Sequence, residues 1–122
     1  MRDKARSNAN RARLVKDLPP AEIGDEAFAS DVQQAVEKCL KAALSWKGTG
    51  YPFTHDIGKL IELVEEANFT LPPVNRDVAE SLTAFAAAER YETVRSGPPL
   101  NRQAMLAVME SLEAWVDALM AK

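Results

Sequence analysis

The chain has 122 residues, of which 47% are hydrophobic and 27% are charged, and its formal net charge is −3. These values are typical of a globular protein and exclude a wholly disordered or fibrous chain. The sequence has no run of about eighteen apolar residues, and no apolar segment follows its basic N-terminus. We therefore expect neither a membrane span nor a secretory signal, and we expect the protein to be cytoplasmic.

The positive charge is concentrated at the N-terminus. Residues 1–17 carry six basic and two acidic side chains, whereas the rest of the chain carries nine basic and sixteen acidic ones. A basic segment can bind phosphate backbones, although short terminal charge runs are more often solvated helix faces. We predict one domain over residues 1–122. Within it, residues 1–11 are a basic arm that either frays or packs, because segment 3–18 has only a thin stripe of Ala5, Ala9, Ala12 and Val15.

Proline pairs and a glycine-rich turn divide the chain into five segments. Pro-Pro occurs at 19–20, 72–73 and 98–99, and GTGYP occupies 48–52. The clearest helical pattern lies in 26–46, where apolar residues recur at steps of three and four. That stripe comprises Phe28, Val32, Ala35, Val36, Cys39, Leu40 and Ala43. Its lone cysteine is predicted to be a small buried hydrophobe without a chemical role.

Segment 55–68 repeats the helical pattern. Its apolar positions are Ile57, Leu60, Ile61 and Val64. We expect Thr54 to cap this helix, Asp56 to lie in its first turn, and Gly58 to permit close approach of another part of the backbone.

The last two segments are also predicted helices. Residues 75–94 follow Asn75, a capping residue type, and residues 101–121 follow Asn101, before which Leu100 is expected to pack on Met105. Five helices with short connections favour antiparallel neighbours. The predicted fold is therefore all-α: an antiparallel up-and-down bundle of four core helices plus an additional helix.

Most familiar chemistry lacks the residues that it needs. With one histidine and one cysteine, a zinc cluster or a thiol–imidazole pair would need groups from another chain. We expect no metal and no cofactor. His55 is nevertheless placed where a helix begins, and exposed backbone amides there bind anions readily. Its imidazole can donate a hydrogen bond or exchange a proton near neutral pH, and the alternative is a capping or inter-helix hydrogen bond.

Two stretches resemble a known family. QQAVEKCLKA at 33–42, followed by PFTHDI at 52–57 and by Leu60, resembles the HEPN family, named for nucleotide-binding domains of higher eukaryotes and prokaryotes. AAAERY at 86–91 resembles a later element of that family. The resemblance implies an all-α bundle that forms a homodimer and binds nucleotide or RNA. It also implies a minimal nucleotidyltransferase partner, in a toxin–antitoxin-like pair.

One branch of that family consists of metal-independent ribonucleases with the motif Arg-x4–6-His. In this chain Gly48, Thr49 and Gly50 occupy the positions at which that arginine would stand before His55. We therefore assign no catalytic residue. A ribonuclease toxin that completes its site with Arg90 or Arg95 across a dimer is kept as the alternative from the enzyme class.

The resemblance implies a polar site formed by the second, third and fourth helices. The residues expected to bind nucleotide or phosphate are Lys38, Lys41, His55 and Arg90, and those expected to support them are Glu37, Asp56 and Tyr91. Lysines three residues apart share one helix face, so three cations and an imidazole could converge on a phosphate. The alternative is that these polar residues pair with one another and hold the helices in register, as in a purely structural interaction module.

Overall fold

Five helices make up the regular structure of the part of the chain that the computed structural model describes. That part comprises the backbone of residues 2–15, 25–48, 50–51, 53–72, 74, 76–91 and 101–121, with all side chains except those of 2–3, 15, 25–27 and 84–91. The helices are α1 (Arg2–Val15), α2 (Asp25–Trp46), α3 (Ile57–Glu66), α4 (Arg76–Tyr91) and α5 (Arg102–Met120). An all-α helical bundle is thereby confirmed.

Helix α2 is the central element of the bundle, because it contacts each of the other four helices. Its fully buried large side chains are Phe28, Val32, Val36, Leu40 and Leu44. They meet Leu60 and Val64 of α3, Leu82 of α4 and Met109 of α5 in one hydrophobic cluster. Cys39 is buried in the same cluster, as its position on the apolar stripe predicts.

Helix α1 packs against α2 through small side chains. Ala5, Ala9 and Ala12 recur on one face of α1 and are fully buried. Because the side chain of alanine is a single methyl group, two helix backbones can approach closely along such a stripe. Helix α1, which contains the described part of the basic N-terminal segment, packs on α2. Among the described residues, no helix is both long and apolar enough to cross a bilayer.

The end of α3 differs from the expected boundary at residue 68. The helix ends at Glu66 because Asn68 adopts a positive φ of 68°, a left-handed conformation that asparagine tolerates better than most residues. The Asn68 amide then donates to the Glu65 carbonyl, and the Phe69 amide donates to the Val64 carbonyl. These two bonds are those of a Schellman motif, which closes a helix C-terminus.

The loop after α3 contacts α5 and the residue that follows α2. The Trp115 indole Nε1 donates to the Thr70 carbonyl at 3.0 Å, and the rings of Phe69 and Trp115 meet edge to face with centroids 5.8 Å apart. The Lys47 ammonium lies 5.0 Å from the Phe69 ring centroid. These contacts stabilise the end of the bundle at which α2 ends.

Helix α5 begins as the sequence predicts. Asn101 is its N-cap, and its Oδ1 accepts a hydrogen bond from the Ala104 amide at 3.0 Å. The expected packing partner Leu100 and the expected cap Asn75 lie outside the described residues. At Gly58 of α3, a Cβ would come within 3.2 Å of the Glu80 carboxylate of α4. The approach is therefore close, as expected, although a side chain rather than the backbone makes it.

Candidate functional site at the α2–α3 junction

The start of α3 lies two residues later than the sequence predicts. Asp56 is the N-cap, and its Oδ1 accepts a hydrogen bond from the Lys59 amide at 3.2 Å. The expectation that Thr54 caps the helix is wrong, since its Oγ1 instead accepts from the Asp56 amide at 3.1 Å, within the preceding turn. His55 therefore precedes the helix and does not belong to its first turn.

The buried carboxylate of Glu37 is the centre of the junction. It is only 5% exposed, and three side chains surround it. Oε1 lies 2.9 Å from Gln33 Nε2 and 2.7 Å from His55 Nδ1, and Oε2 accepts a hydrogen bond from Lys41 Nζ at 3.1 Å. Gln33, Glu37 and Lys41 follow one another at intervals of four residues, so they share one face of α2. These three contacts offset the cost of burying the charge.

The backbone of the turn is held from two helices. The His55 carbonyl accepts hydrogen bonds from Gln33 Nε2 of α2 at 3.1 Å and from Thr83 Oγ1 of α4 at 3.3 Å. The Ile57 amide donates in turn to Thr83 Oγ1 at 3.2 Å. Gln33 and Thr83 thus fix the position of His55. Neither residue was assigned a role from the sequence, although Gln33 precedes Glu37 by the four residues that one helix face requires.

The imidazole of His55 is oriented and yet accessible. Its side chain is 65% exposed, and its Nδ1 faces Glu37. An ionised carboxylate only accepts hydrogen bonds, so Nδ1 carries the hydrogen in this contact. The other ring nitrogen, Nε2, is then the atom that can meet a ligand. When the ring is protonated, Nε2 is a charged donor suited to phosphate oxygens.

The two lysines of α2 have different environments. Lys41 is buried, binds Glu37, and places its ammonium 5.6 Å from the Tyr51 ring centroid. Lys38 donates instead to Oδ1 of the buried Asn8 of α1, at 2.7 Å. Desolvation by burial lowers the pKa of Lys38, and this effect outweighs the nearby Glu37 carboxylate, which raises it. The structure therefore brings Lys41 together with His55, and it directs Lys38 toward α1.

The other residues expected at the site are Asp56, Arg90 and Tyr91. Asp56 caps α3. Arg90 and Tyr91 are the last two residues of α4, and their side chains lie outside the described part of the chain. Within that part, no group of three or more histidine, cysteine, aspartate or glutamate side chains could hold a metal ion.

A shallow depression beside the junction has the wrong charge for a phosphate. It is lined by Asp56, Gly58, Lys59, Glu62 and Glu80. Three carboxylates face one ammonium there, so an anion would meet net repulsion. We therefore do not expect a phosphate to bind in this depression.

Fold and site together define a helical-bundle protein with an oriented, exposed imidazole between its second and third helices. A family model, the HEPN domain, matches residues 21–119. Because the match covers most of the chain, the protein belongs to the HEPN family, as the motifs at the junction predict. Membership suggests a function related to nucleotides or RNA. The comparisons with curated proteins and with solved structures found no match. Helix α1 lies before the residues that the family model matches.

Proposed function

We propose that this HEPN protein binds a nucleotide or RNA through its phosphates at the exposed ring of His55, with the buried ammonium of Lys41 behind it. Lys38 and Arg90 are kept in the proposal as further cations on the strength of the family resemblance. No reaction is assigned to the chain. By family resemblance, its working partners are a second copy of itself and a minimal nucleotidyltransferase, in a toxin–antitoxin-like pair.

The contact between Glu37 and His55 is the observation that carries the proposal. A buried carboxylate holds one nitrogen of the ring at 2.7 Å, while the side chain remains 65% exposed. A purely structural role would also use this contact, but it would not need the ring to be exposed. Here the ring is held in one orientation with its second nitrogen available, which is the arrangement that a phosphate-binding imidazole needs.

Binding to labelled single-stranded RNA and to ATP, measured for the parent protein and for His55→Ala, tests this proposal. Because a hydrogen bond to a charged group contributes about 1.5–3 kcal/mol, the substitution should weaken binding roughly tenfold or more. For RNA, two phosphate contacts predict an affinity loss of about sevenfold between about 50 and 200 mM salt. Loss of the His55 contact should make that dependence shallower.

The matched control is Arg76→Gln, which removes one positive charge from the first residue of α4. Arg76 lies seven residues before Thr83, about 10 Å along the helix. If the control weakens binding as much as His55→Ala does, only general charge matters, and the proposed site is wrong. Unchanged affinity in His55→Ala would also contradict it.

A purely structural role for the junction is the second candidate, and the burial of Lys41 favours it. An ammonium that is already bonded to Glu37 has less to offer a ligand than an exposed one. If His55→Ala and Lys41→Ala both unfold the protein but leave the nucleotide affinity of the folded fraction unchanged, the junction is structural. The proposal requires instead that His55→Ala folds and loses affinity.

A further inference from the structure

Exposed aromatic side chains are concentrated beside the proposed phosphate site. Among the described residues, five large hydrophobic side chains are exposed, and three of them are aromatic: Trp46, Tyr51 and Phe53. All three lie between the last residue of α2 and the turn that carries His55. The two aliphatic ones, Leu14 and Met120, lie near the C-terminal ends of α1 and α5.

Phe53 has the largest exposed fraction of the three aromatic side chains. Its exposed fraction is 110%, so no part of the described chain covers its ring, whereas Tyr51 is 39% exposed and lies near the Lys41 ammonium. Burying a phenylalanine stabilises a folded protein, and this ring contributes nothing of that kind to the described fold. That stabilisation remains available to a ligand that covers the ring.

The surroundings of Phe53 favour a small planar ligand over a protein surface. The next three residues along the chain are Thr54, His55 and Asp56, all polar and none of them buried. A stable protein interface buries about 800 Å² on each partner, whereas one aromatic side chain supplies roughly 200 Å². Even the three exposed rings together fall short of that area, since Trp46 and Tyr51 are each less than half exposed, so Phe53 fits a single nucleobase better than a second copy of this chain.

The spacing to the phosphate site is compatible with one ligand. Phe53 and His55 are two residues apart, so their Cα atoms are at most about 7 Å apart. Proteins that bind single-stranded nucleic acids commonly combine cationic groups for the backbone with aromatic rings on which bases stack. Both kinds of group occur here within one turn.

We propose that Phe53 stacks on the nucleobase of a nucleotide or of single-stranded RNA whose phosphate is bound by His55 and Lys41. This inference rests on the function proposed above, and it adds that the ligand is recognised through a base as well as a phosphate. The base face carries no sequence information in such a contact, so stacking predicts tolerance of different bases.

The experiment compares ATP with tripolyphosphate, which has the phosphates but no base, by calorimetry, and measures a labelled single-stranded RNA by anisotropy. Phe53→Ala should weaken binding of ATP, the RNA or both by roughly 5- to 150-fold, and leave tripolyphosphate binding unchanged. The ligand that loses affinity identifies the source of the base. Phe53→Tyr should restore binding, because a phenol ring also stacks, and Leu14→Ala, which removes a distant exposed hydrophobe, should change nothing.

Other outcomes would overturn the inference. Unchanged ATP and RNA affinity in Phe53→Ala would show that no base stacks there. The phosphate site would still stand if His55→Ala lowers tripolyphosphate binding. An equal loss for ATP and tripolyphosphate would mean that Phe53 acts through the phosphate site or the fold. Dissociation of an oligomer in Phe53→Ala would assign the ring to an interface. If the parent protein binds none of the three probes, both proposals fail.

Discussion

Glu37 has three partners, and they make different contributions. Lys41 and Gln33 are buried with it, so their bonds belong to the interior, whereas His55 reaches it from the surface. Removing one member of a buried ion pair is costly because the other charge is left uncompensated. One carboxylate can therefore stabilise the fold and orient the imidazole, and substitutions should separate these two roles.

Replacing Glu37 should harm stability, and replacing His55 should not. We expect Glu37→Ala to lower the free energy of unfolding by about 3 kcal/mol, since it strands the buried Lys41 ammonium. His55→Ala should lower it by less than about 1 kcal/mol, because the ring is largely exposed. Urea unfolding monitored by circular dichroism measures both. A double variant, Glu37→Ala with Lys41→Met, should be more stable than Glu37→Ala alone, and a less stable double variant would contradict the pairing.

The residue-level environment of the site was only partly predictable. Lys38 and Lys41 lie on adjoining parts of one helix face, about 60° apart around the axis, so their spacing alone cannot tell which partner each one binds. Asn8 of α1 binds Lys38, whereas Lys41 pairs with Glu37 one turn earlier on its own helix. Asn8 falls on the alanine stripe of α1, three residues after Ala5 and four before Ala12, so the pattern agrees with its burial but does not indicate its bond to Lys38.

At the scale of elements, α1 depends on close packing. Ala9 is fully buried in the stripe that faces α2, whereas Ser7 of the same helix is exposed. We expect Ala9→Leu to destabilise the protein by about 1–3 kcal/mol through overpacking. Ser7→Leu, the matched control, should change the free energy of unfolding by less than about 0.5 kcal/mol. Equal effects of the two substitutions in urea unfolding would show that α1 does not pack through this stripe.

An exposed ion pair joins the end of α3 to the start of α4. Arg76 donates from both terminal nitrogens to the two Glu65 oxygens, each at 2.8 Å. Chiefly this hydrogen bonding holds the pKa of Glu65 below its ordinary value of 4.5 and raises the pKa of Arg76. A carboxyl whose pKa is depressed by folding stabilises the fold above its unfolded-state pKa, and that contribution is lost as the pH falls through the folded-state value.

Arg76→Gln should therefore have a pH-dependent effect. At neutral pH the variant should unfold at a slightly lower urea concentration than the parent protein, since the pair is exposed and screened. As the pH falls below 4.5 and then through the lower pKa of folded Glu65, the difference between the two proteins should shrink and disappear. A difference that stays constant over this range would show that the two side chains do not interact in solution.

The boundaries of the elements show what local sequence can and cannot specify. Asn101 capped α5 as expected because the capping interaction lies within three residues. At α3, Thr54 and Asp56 are both capping types, and the Thr83 hydroxyl of α4, which accepts from the Ile57 amide, helps to fix where the helix begins. That contact spans 26 residues and is invisible to a local pattern.

For the whole molecule, apolar spacing predicted five helices and their buried faces. It did not predict that α2 is the central helix, since every segment carries an apolar stripe and the choice depends on how the stripes share one core. Met105 and Met109 of α5 are buried in that core. The nucleotide and partner preferences stay predictions, because they depend on ligands and copies outside this chain.

Self-association is expected at the scale of the whole molecule. The family resemblance implies a homodimer, so sedimentation equilibrium should report about twice the chain mass of 13.4 kDa. The measurement should be made at several protein concentrations, because the fraction of dimer rises with concentration. A mass that stays at that of one chain across this range would contradict the dimer and leave the bundle itself unaffected.

The central claim is that the imidazole of His55 meets the phosphate. The chain contains a single histidine, so its ring signals in a long-range nitrogen–proton NMR spectrum are unambiguous. Adding ATP to the nitrogen-labelled protein should shift the Nε2 resonance of His55 progressively to saturation, with Nδ1 changing less because Glu37 already holds it. If ATP binds while both ring nitrogens keep their resonances, the phosphate lies elsewhere and the account of the site is wrong.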